Sequence, residues 1–266
     1  MALVISYDND PTDNTRFFVK TLEANGWAYT MLGRGEVWKG FITRVKAYNN
    51  YLASLDPNSI VLLSDARDVV CVRSPKAFMD AFRSFEGDFV VSMELFCGKE
   101  TDVPVDFKDG QCIPLTNYWK YHNIQELPIR KFVNAGLVAG KAGAIQKWLQ
   151  FAIDNNFEND QLALCYYINK FPERIRVDSE AKLLHTSTFG VNAGMQNIFV
   201  QAKDSPTFAE IYGRGAFFIH IPGIRGPGQN TVYNDVCEII ELGLSDEKIR
   251  SGYKDDEPPW TGYIYE

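Results

Sequence analysis

The sequence predicts an α/β protein in which helices flank a mostly parallel sheet. Three observations carry this. Apolar runs of strand length alternate with helix-periodic segments up to about residue 94. The run in "SIVLLSD" is continuously apolar, which suits a strand covered on both faces. The helical segments carry start and stop residues at their ends.

In chain order, "ALVISY" is a buried strand. In "PTDNTRFFVKTLEANG", Thr12 or Asp13 can cap a helix, Phe17, Phe18 and Leu22 line one face, and Gly26 stops it. "WAYTML" is a second strand and "GRGEVWKG" a glycine-punctuated loop. "FITRVKAYNNYLASL" places Phe41, Val45, Tyr48 and Leu52 on one helix face, and "SIVLLSD" is the third strand. Ser74 and Pro75 open the helix "SPKAFMDAFRSF", and "DFVVSME" is a fourth strand. Residues 95–130 lose periodicity and read as a long excursion or lid. "KFVNAGLVAG" returns to strand, followed by helices in "KAGAIQKWLQFAIDNN" and "NDQLALCYYINKF". "IRVDSEAKLLHTS" has the look of a hairpin, "AFFIHIPG" is a strand running into a turn, and "TVYNDVCEIIELG" is a late helix. With no internal repeat and no Gly/Ser linker, one domain is expected over 1–250, in halves 1–94 and 95–250, with an irregular tail at 251–266.

The 266 residues are 45% hydrophobic and 14% aromatic, enough for a substantial core. The net charge of −7 and pI of about 5.1 give no electrostatic footprint for non-specific nucleic-acid binding. Cys71, Cys97, Cys112, Cys165 and Cys237 form no C-x-x-C and are an odd number, so free, mostly buried thiols are expected. The opening "MALVISYDND" is too short and lacks the basic flank of a signal peptide, and no apolar stretch could span a membrane. A soluble, cytoplasmic protein is the expectation.

Several stretches could carry chemistry. In "IVLLSDARDVV", Asp65 and Asp68 stand at the C-terminal end of a central strand, where open α/β sheets bind ligands. Two carboxylates this close suit a hard cation such as Mg²⁺ or Mn²⁺, but they equally suit a turn formed by Asp68 in which Asp65 pairs with Arg67 or caps the next element. His220 ends a strand before the Gly/Pro-rich "IPGIRGPG"; it is either a satisfied core residue or a third ligand, which would favour Mn²⁺. Gly223, Gly226 and Gly228 would let backbone amides approach a phosphate, with Arg225 adding a charge-assisted bond. In "VNAGLVAG", with Asn134, Gly136 and Gly140, the glycines mark either a bulge or the close approach of a ligand or another backbone. Asp160 has the local pattern of a helix N-cap. Trp38 either packs or presents a flat ring to a ligand. The chain has no G-x-S-x-G, no P-loop and no Rossmann G-x-G-x-x-G after the first strand.

Taken in order, these stretches resemble the glycosyltransferase domain of the procollagen lysyl hydroxylase/glycosyltransferase (PLOD-like) proteins, from residue 3 to about 230. "YTMLGRGEVWKG", "LLSDARDVV", "VNAGLVAG", "NDQLALCYYINKFPERIRVD" and "FIHIPGIRGPG" are the matching segments. The resemblance implies a GT-A type fold, a Rossmann-like mixed sheet flanked by helices, and a metal-dependent glycosyltransferase. It implies a UDP-sugar donor whose diphosphate is bridged by Mn²⁺ (or Mg²⁺), with Asp65, Asp68 and His220 as metal ligands. It places Trp38 at the uracil, Asn134, Gly136 and Asp160 at the donor sugar and reaction centre, and Gly223 and Arg225 at the pyrophosphate. Arg44 and Lys46 stand for the family's basic residues, and Arg67 replaces an aromatic beside the base. The implied acceptor is a hydroxyl: a hydroxylated protein side chain, a glycan or, less in keeping with the acidic pI, a modified nucleic acid. The rival readings are a nucleotide-sugar hydrolase or nucleotidyltransferase, and a non-catalytic binding module. The unled start suits a bacterial or viral cytoplasmic enzyme.

Overall fold

Continuous apolar runs place strands where two helical layers can cover them, and the alternation in the sequence sets the order. A computed structural model describes residues 2–94, 113–128, 130–186 and 216–222. The first half runs β1 (Leu3–Tyr7), α1 (Asp13–Ala24), β2 (Ala28–Leu32), α2 (Phe41–Leu52), β3 (Ile60–Ser64), β4 (Val69–Cys71), α3 (Pro75–Phe82) and β5 (Phe89–Glu94). Then come α4 (Thr116–Tyr121), β6 (Phe132–Lys141), α5 (Ala142–Asp154), α6 (Asp160–Lys170), β7 (Ile175–Asp178), β8 (Leu184–Thr186) and β9 (Phe218–His220).

The described strands form one mixed sheet in the order β2-β1-β3-β6-β5-β8-β9-β4, with β7 also paired to β5. β1 lies parallel to β2 and β3, and β5 parallel to β7 and β8. β6 is antiparallel to both β3 and β5. One core packs α2, α4, α5 and α6 on one face, around residues such as Val45, Tyr48, Phe89 and Trp148. The other packs α1 and α3, with Phe18, Leu22, Phe78 and Phe218. Among the described residues no helix is long and apolar enough to cross a membrane.

Local signals explain several ends. Thr12 caps α1. At its other end Gly26 takes φ +76°, with Gly26 N–H on Glu23 and Trp27 N–H on Leu22, the six-to-one closure of a Schellman motif. Cys71 and Cys165 are free and buried, while Cys97, Cys112 and Cys237 lie outside the described residues. So do the late helix expected at 231–243 and the tail.

Three local expectations change. Residues 175–186 do not form the expected hairpin: β7 and β8 lie one after the other along β5, both parallel to it. The Asp178 carboxylate takes the N–H groups of Lys182, Leu183 and Leu184, which turns the chain without reversing the strand. The excursion at 95–130 contains a helix, α4, whose Tyr118 and Trp119 are buried. The N-cap of α6 is Asn159, whose side chain accepts from Leu162 N–H, and Asp160 is the first helical residue.

The sheet is strongly curled. Residues 65–68 alone join β3 to β4, and the five Cα steps from Ser64 to Val69 reach at most about 19 Å. Five strand spacings of a flat sheet would separate them by about 24 Å. Curling brings the edge pair β9–β4 back over the middle of the sheet.

Candidate active site

The stretch "SDARD" is both a turn and a cluster of carboxylates. Asp65 is the first residue beyond β3, and its N–H donates to Gly136 O of β6 at 2.8 Å. Asp68 directly precedes β4, which pairs antiparallel with β9 so that Val69 faces His220. Ile221 N–H donates to Asp68 O at 2.8 Å, completing the link. Strand register thus delivers His220 to the two aspartates. Gly136 is needed beneath it: a Cβ there would run into the imidazole ring.

His220 Nε2 lies 3.4 Å from Asp68 Oδ1 and 3.5 Å from Asp65 Oδ2. The three ligand atoms fall within 4.8 Å of one another. His220 is 3% exposed, and its Nε2 makes no hydrogen bond of proper geometry, which is rare for a buried polar atom. Its other nitrogen, Nδ1, is 3.0 Å from Asn134 Oδ1. Burial works against a charged imidazole, but Asp68, Asp65 and Glu94 outweigh it and raise the His220 pKa. The same carboxylates would favour a cation at Nε2. Burial also opposes ionisation of Asp65, yet Arg44 and His220 hold its carboxyl below the usual range.

Arg44 comes from α2 and bridges two carboxylates, Nε to Asp160 Oδ2 at 2.7 Å and Nη1 to Asp65 Oδ1. Asp160 Oδ1 accepts from Gln161 N–H. Three aspartates and one guanidinium leave a formal charge of −2, the charge that a divalent cation would neutralise. Carboxylates this close together would repel one another without such compensation. An orphaned imidazole nitrogen beside two carboxylates therefore fits a hard to borderline divalent ion.

The other expected site residues separate into three groups. Asn134 and Gly136 lie against His220, and Asp160 joins the cluster through Arg44. Arg67 does not pair with Asp65: it bonds Asp8 and the Asp10 carbonyl at the end of β1, while its side chain remains half exposed. Trp38 is 42% exposed, with ring centroids 5.9 Å from Tyr7 and 5.7 Å from Phe41. Lys46 is exposed, next to the buried Val45 on α2 and two positions beyond Arg44. Gly223 and Arg225 lie outside the described residues.

Two participants carried no signal specific enough to single them out. Glu94, at the end of β5, is buried and accepts from Asn134 Nδ2 and Gln161 Nε2, each at 3.3 Å. Burial pushes its pKa up to about 7, against the pull of His220 and the two amides. Asp8, at the end of β1, is buried under Arg67 and Thr15; burial alone would raise its pKa, but those bonds lower it.

A family model described as the PLOD GT domain matches residues 1–220. The chain belongs to the PLOD GT domain family. It is a glycosyltransferase domain, with the curled mixed sheet described above. No curated protein matches the chain. Among solved structures it is similar to a glycosyltransferase involved in glycosylation of the major capsid of PBCV-1, at 14% identity and TM-score 0.49, over 91% of this chain and 98% of that one. The bifunctional glycosyltransferase WbbM matches at 13% identity and TM-score 0.46, over 99% of this chain and 50% of that one. The Francisella tularensis 2-C-methyl-D-erythritol 4-phosphate cytidylyltransferase matches at 13% and 0.38, over 76% and 98%. These likenesses are too distant to carry a function.

Proposed function

We propose that this PLOD GT domain moves a sugar from a nucleotide-sugar, a UDP-sugar, to an acceptor hydroxyl, and that it depends on Mn²⁺, with Mg²⁺ as the alternative. The observation that supports it most is the convergence of Asp65, Asp68 and the unbonded His220 Nε2. Two carboxylates and an imidazole suit Mn²⁺ better than Mg²⁺. Bound there, the cation would supply positive charge to a departing nucleoside diphosphate.

The chain's own residues then take these parts. Arg44 offsets part of the charge of Asp65 and Asp160, easing the mutual repulsion of the carboxylates. Its planar fork suits two acceptors at fixed positions better than an ammonium would. Trp38, grouped with Tyr7 and Phe41, offers an exposed ring face to a base. Arg67, fixed by Asp8 and Asp10, forms the neighbouring wall, so the base is flanked there by a guanidinium. Asp160 orients the donor sugar or accepts the acceptor's proton; its engagement with Arg44 and Gln161 N–H favours the orienting role. Gly223 and Arg225 remain candidates for the pyrophosphate, and a glycan, a hydroxylated protein side chain or a modified nucleic acid for the acceptor.

The test is release of nucleoside diphosphate from a panel of UDP-sugars, with and without Mn²⁺ and with acceptor alcohols. Metal-dependent release that an acceptor accelerates, and that Asp68→Ala abolishes, is expected. Release of free sugar at a rate no acceptor changes would favour the hydrolase. No release with any donor would favour a binding module.

A further inference from the structure

The polar groups beneath the aspartates and His220 have donor and acceptor roles that two backbone amides fix. β6 bulges where Val91 and Ser92, adjacent on β5, pair with Val138 and Asn134. The bulge takes two N–H groups out of the ladder. Ala135 N–H donates to Gln161 Oε1 at 3.2 Å, and Gly136 N–H donates to Asn134 Oδ1 at 2.8 Å. A backbone N–H can only donate, so each amide oxygen must face its N–H. Each NH₂ therefore points away, and both meet Glu94, Asn134 at Oε2 and Gln161 at Oε1.

The same Asn134 oxygen lies 3.0 Å from His220 Nδ1. It carries no proton, so Nδ1 must supply one. The neutral imidazole then keeps its lone pair on Nε2, the atom turned toward Asp65 and Asp68. A carboxylate at position 94 is the group that can accept from two NH₂ donors at once. An amide there would turn its own NH₂ on one of them.

We propose that Glu94, acting through Asn134, is a positioning residue that holds His220 in the Nδ1–H tautomer, so that the imidazole is a ready metal ligand before any cation arrives. The proposal rests on the metal reading above and extends it: Asn134 serves the ligand rather than touching the donor. Groups that hydrogen-bond the far nitrogen of a ligating histidine fix both its tautomer and its orientation.

Two experiments test it. The first needs no metal and no variant: ¹⁵N NMR of His220 on the alkaline plateau of the imidazole. The Nδ1–H tautomer is expected. Asn134→Ala should shift the population toward Nε2–H, because Asp65 and Asp68 become the better acceptors. A wild-type Nε2–H tautomer, or one that Asn134→Ala leaves unchanged, overturns the proposal.

The second is Mn²⁺ affinity by calorimetry for a polarity swap, with folding checked by circular dichroism. E94Q alone sets two NH₂ groups against each other and should weaken binding about 10- to 100-fold, whereas N134D keeps an acceptor on Nδ1–H. In the double variant the new amide donates to the new carboxylate and still accepts from Gln161, so most of the affinity should return. An E94Q variant that binds like wild type, or a double variant no tighter than E94Q, would sink the relay. Failure of wild type to bind Mn²⁺ would instead remove the metal reading, with the tautomer still deciding the relay.

Discussion

Arg44 extends from α2 and holds Asp65 and Asp160 apart while balancing part of their charge, and Glu94 completes the buried charge set from the other side of Asn134. Burial outweighs the pull of His220 and the two amides, which is why the Glu94 pKa rises from the ordinary 4.5 to about 7. The sign of its effect on stability follows. Below about pH 4.5 the carboxyl is neutral folded and unfolded. Between 4.5 and 7 the unfolded chain ionises while the native state keeps the proton, so the contribution falls as pH rises. Above 7 the native state carries a buried charge and the contribution is flat. Urea unfolding of the metal-free protein, wild type against E94Q, should therefore show a stability difference that changes between pH 4.5 and 7 and is constant above. A difference independent of pH across that window would mean that Glu94 titrates normally.

At the scale of the element, β6 does the most positioning. Gly136 and Gly140 lie on the same strand but face different neighbours. A Cβ at Gly136 would meet the His220 ring and Asn134 Oδ1, whereas one at Gly140 would meet Phe89 and the Asp88 carbonyl. Both Gly→Ala changes should cost about 1–3 kcal/mol of stability through overpacking. Only Gly136→Ala should also weaken Mn²⁺ binding in the folded protein, as measured by calorimetry. Equal metal affinity in the two variants would contradict the assignment of Gly136 to the site. This contrast also marks how far the sequence could be read. The glycines in "VNAGLVAG" offered a bulge or the close approach of a ligand or another backbone: the register shifts there and Gly140 lies against the backbone of Asp88 and Phe89, but what Gly136 admits is a side chain, the imidazole. β3, α1 and α2 were legible, since each depends on local periodicity and end signals. The direction of β8 was not: a three-residue strand, Leu-His-Thr, after a polar turn can reverse or continue, and the bonds of Asp178 to Leu183 and Leu184 decide it. Arg44 was placed among the basic site residues, but its bond to Asp160 spans 116 positions, which no periodicity reports. Glu94 looked like any strand end, because its partners come from β6 and α6.

For the whole molecule, the curl of the sheet turns a ligand set into a clamp. Asp65 belongs to the end of a central strand, while His220 belongs to β9, whose own partners are the short strands β8 and β4. Strands of three residues bring few ladder bonds and should open more readily than β1, β3 or β5. A cation shared by Asp65, Asp68 and His220 would tie that weak end to the strong centre. Binding to the folded state alone stabilises by about 2.7 kcal/mol at a hundred times the dissociation constant. The gain should be uneven. Hydrogen exchange followed by mass spectrometry, with Mn²⁺ against chelator, should show added protection concentrated in peptides covering residues 65–72 and 216–222. Those covering β1 and β5 should change little over a labelling time that exchanges the short strands, because they open only on global unfolding, which is slower. Asp68→Ala should erase the local gain while leaving the metal-free pattern in β1 and β5 intact. Protection spread evenly over all strands would mean that any Mn²⁺ effect acts on global stability alone, and the cross-sheet clamp would have to be abandoned.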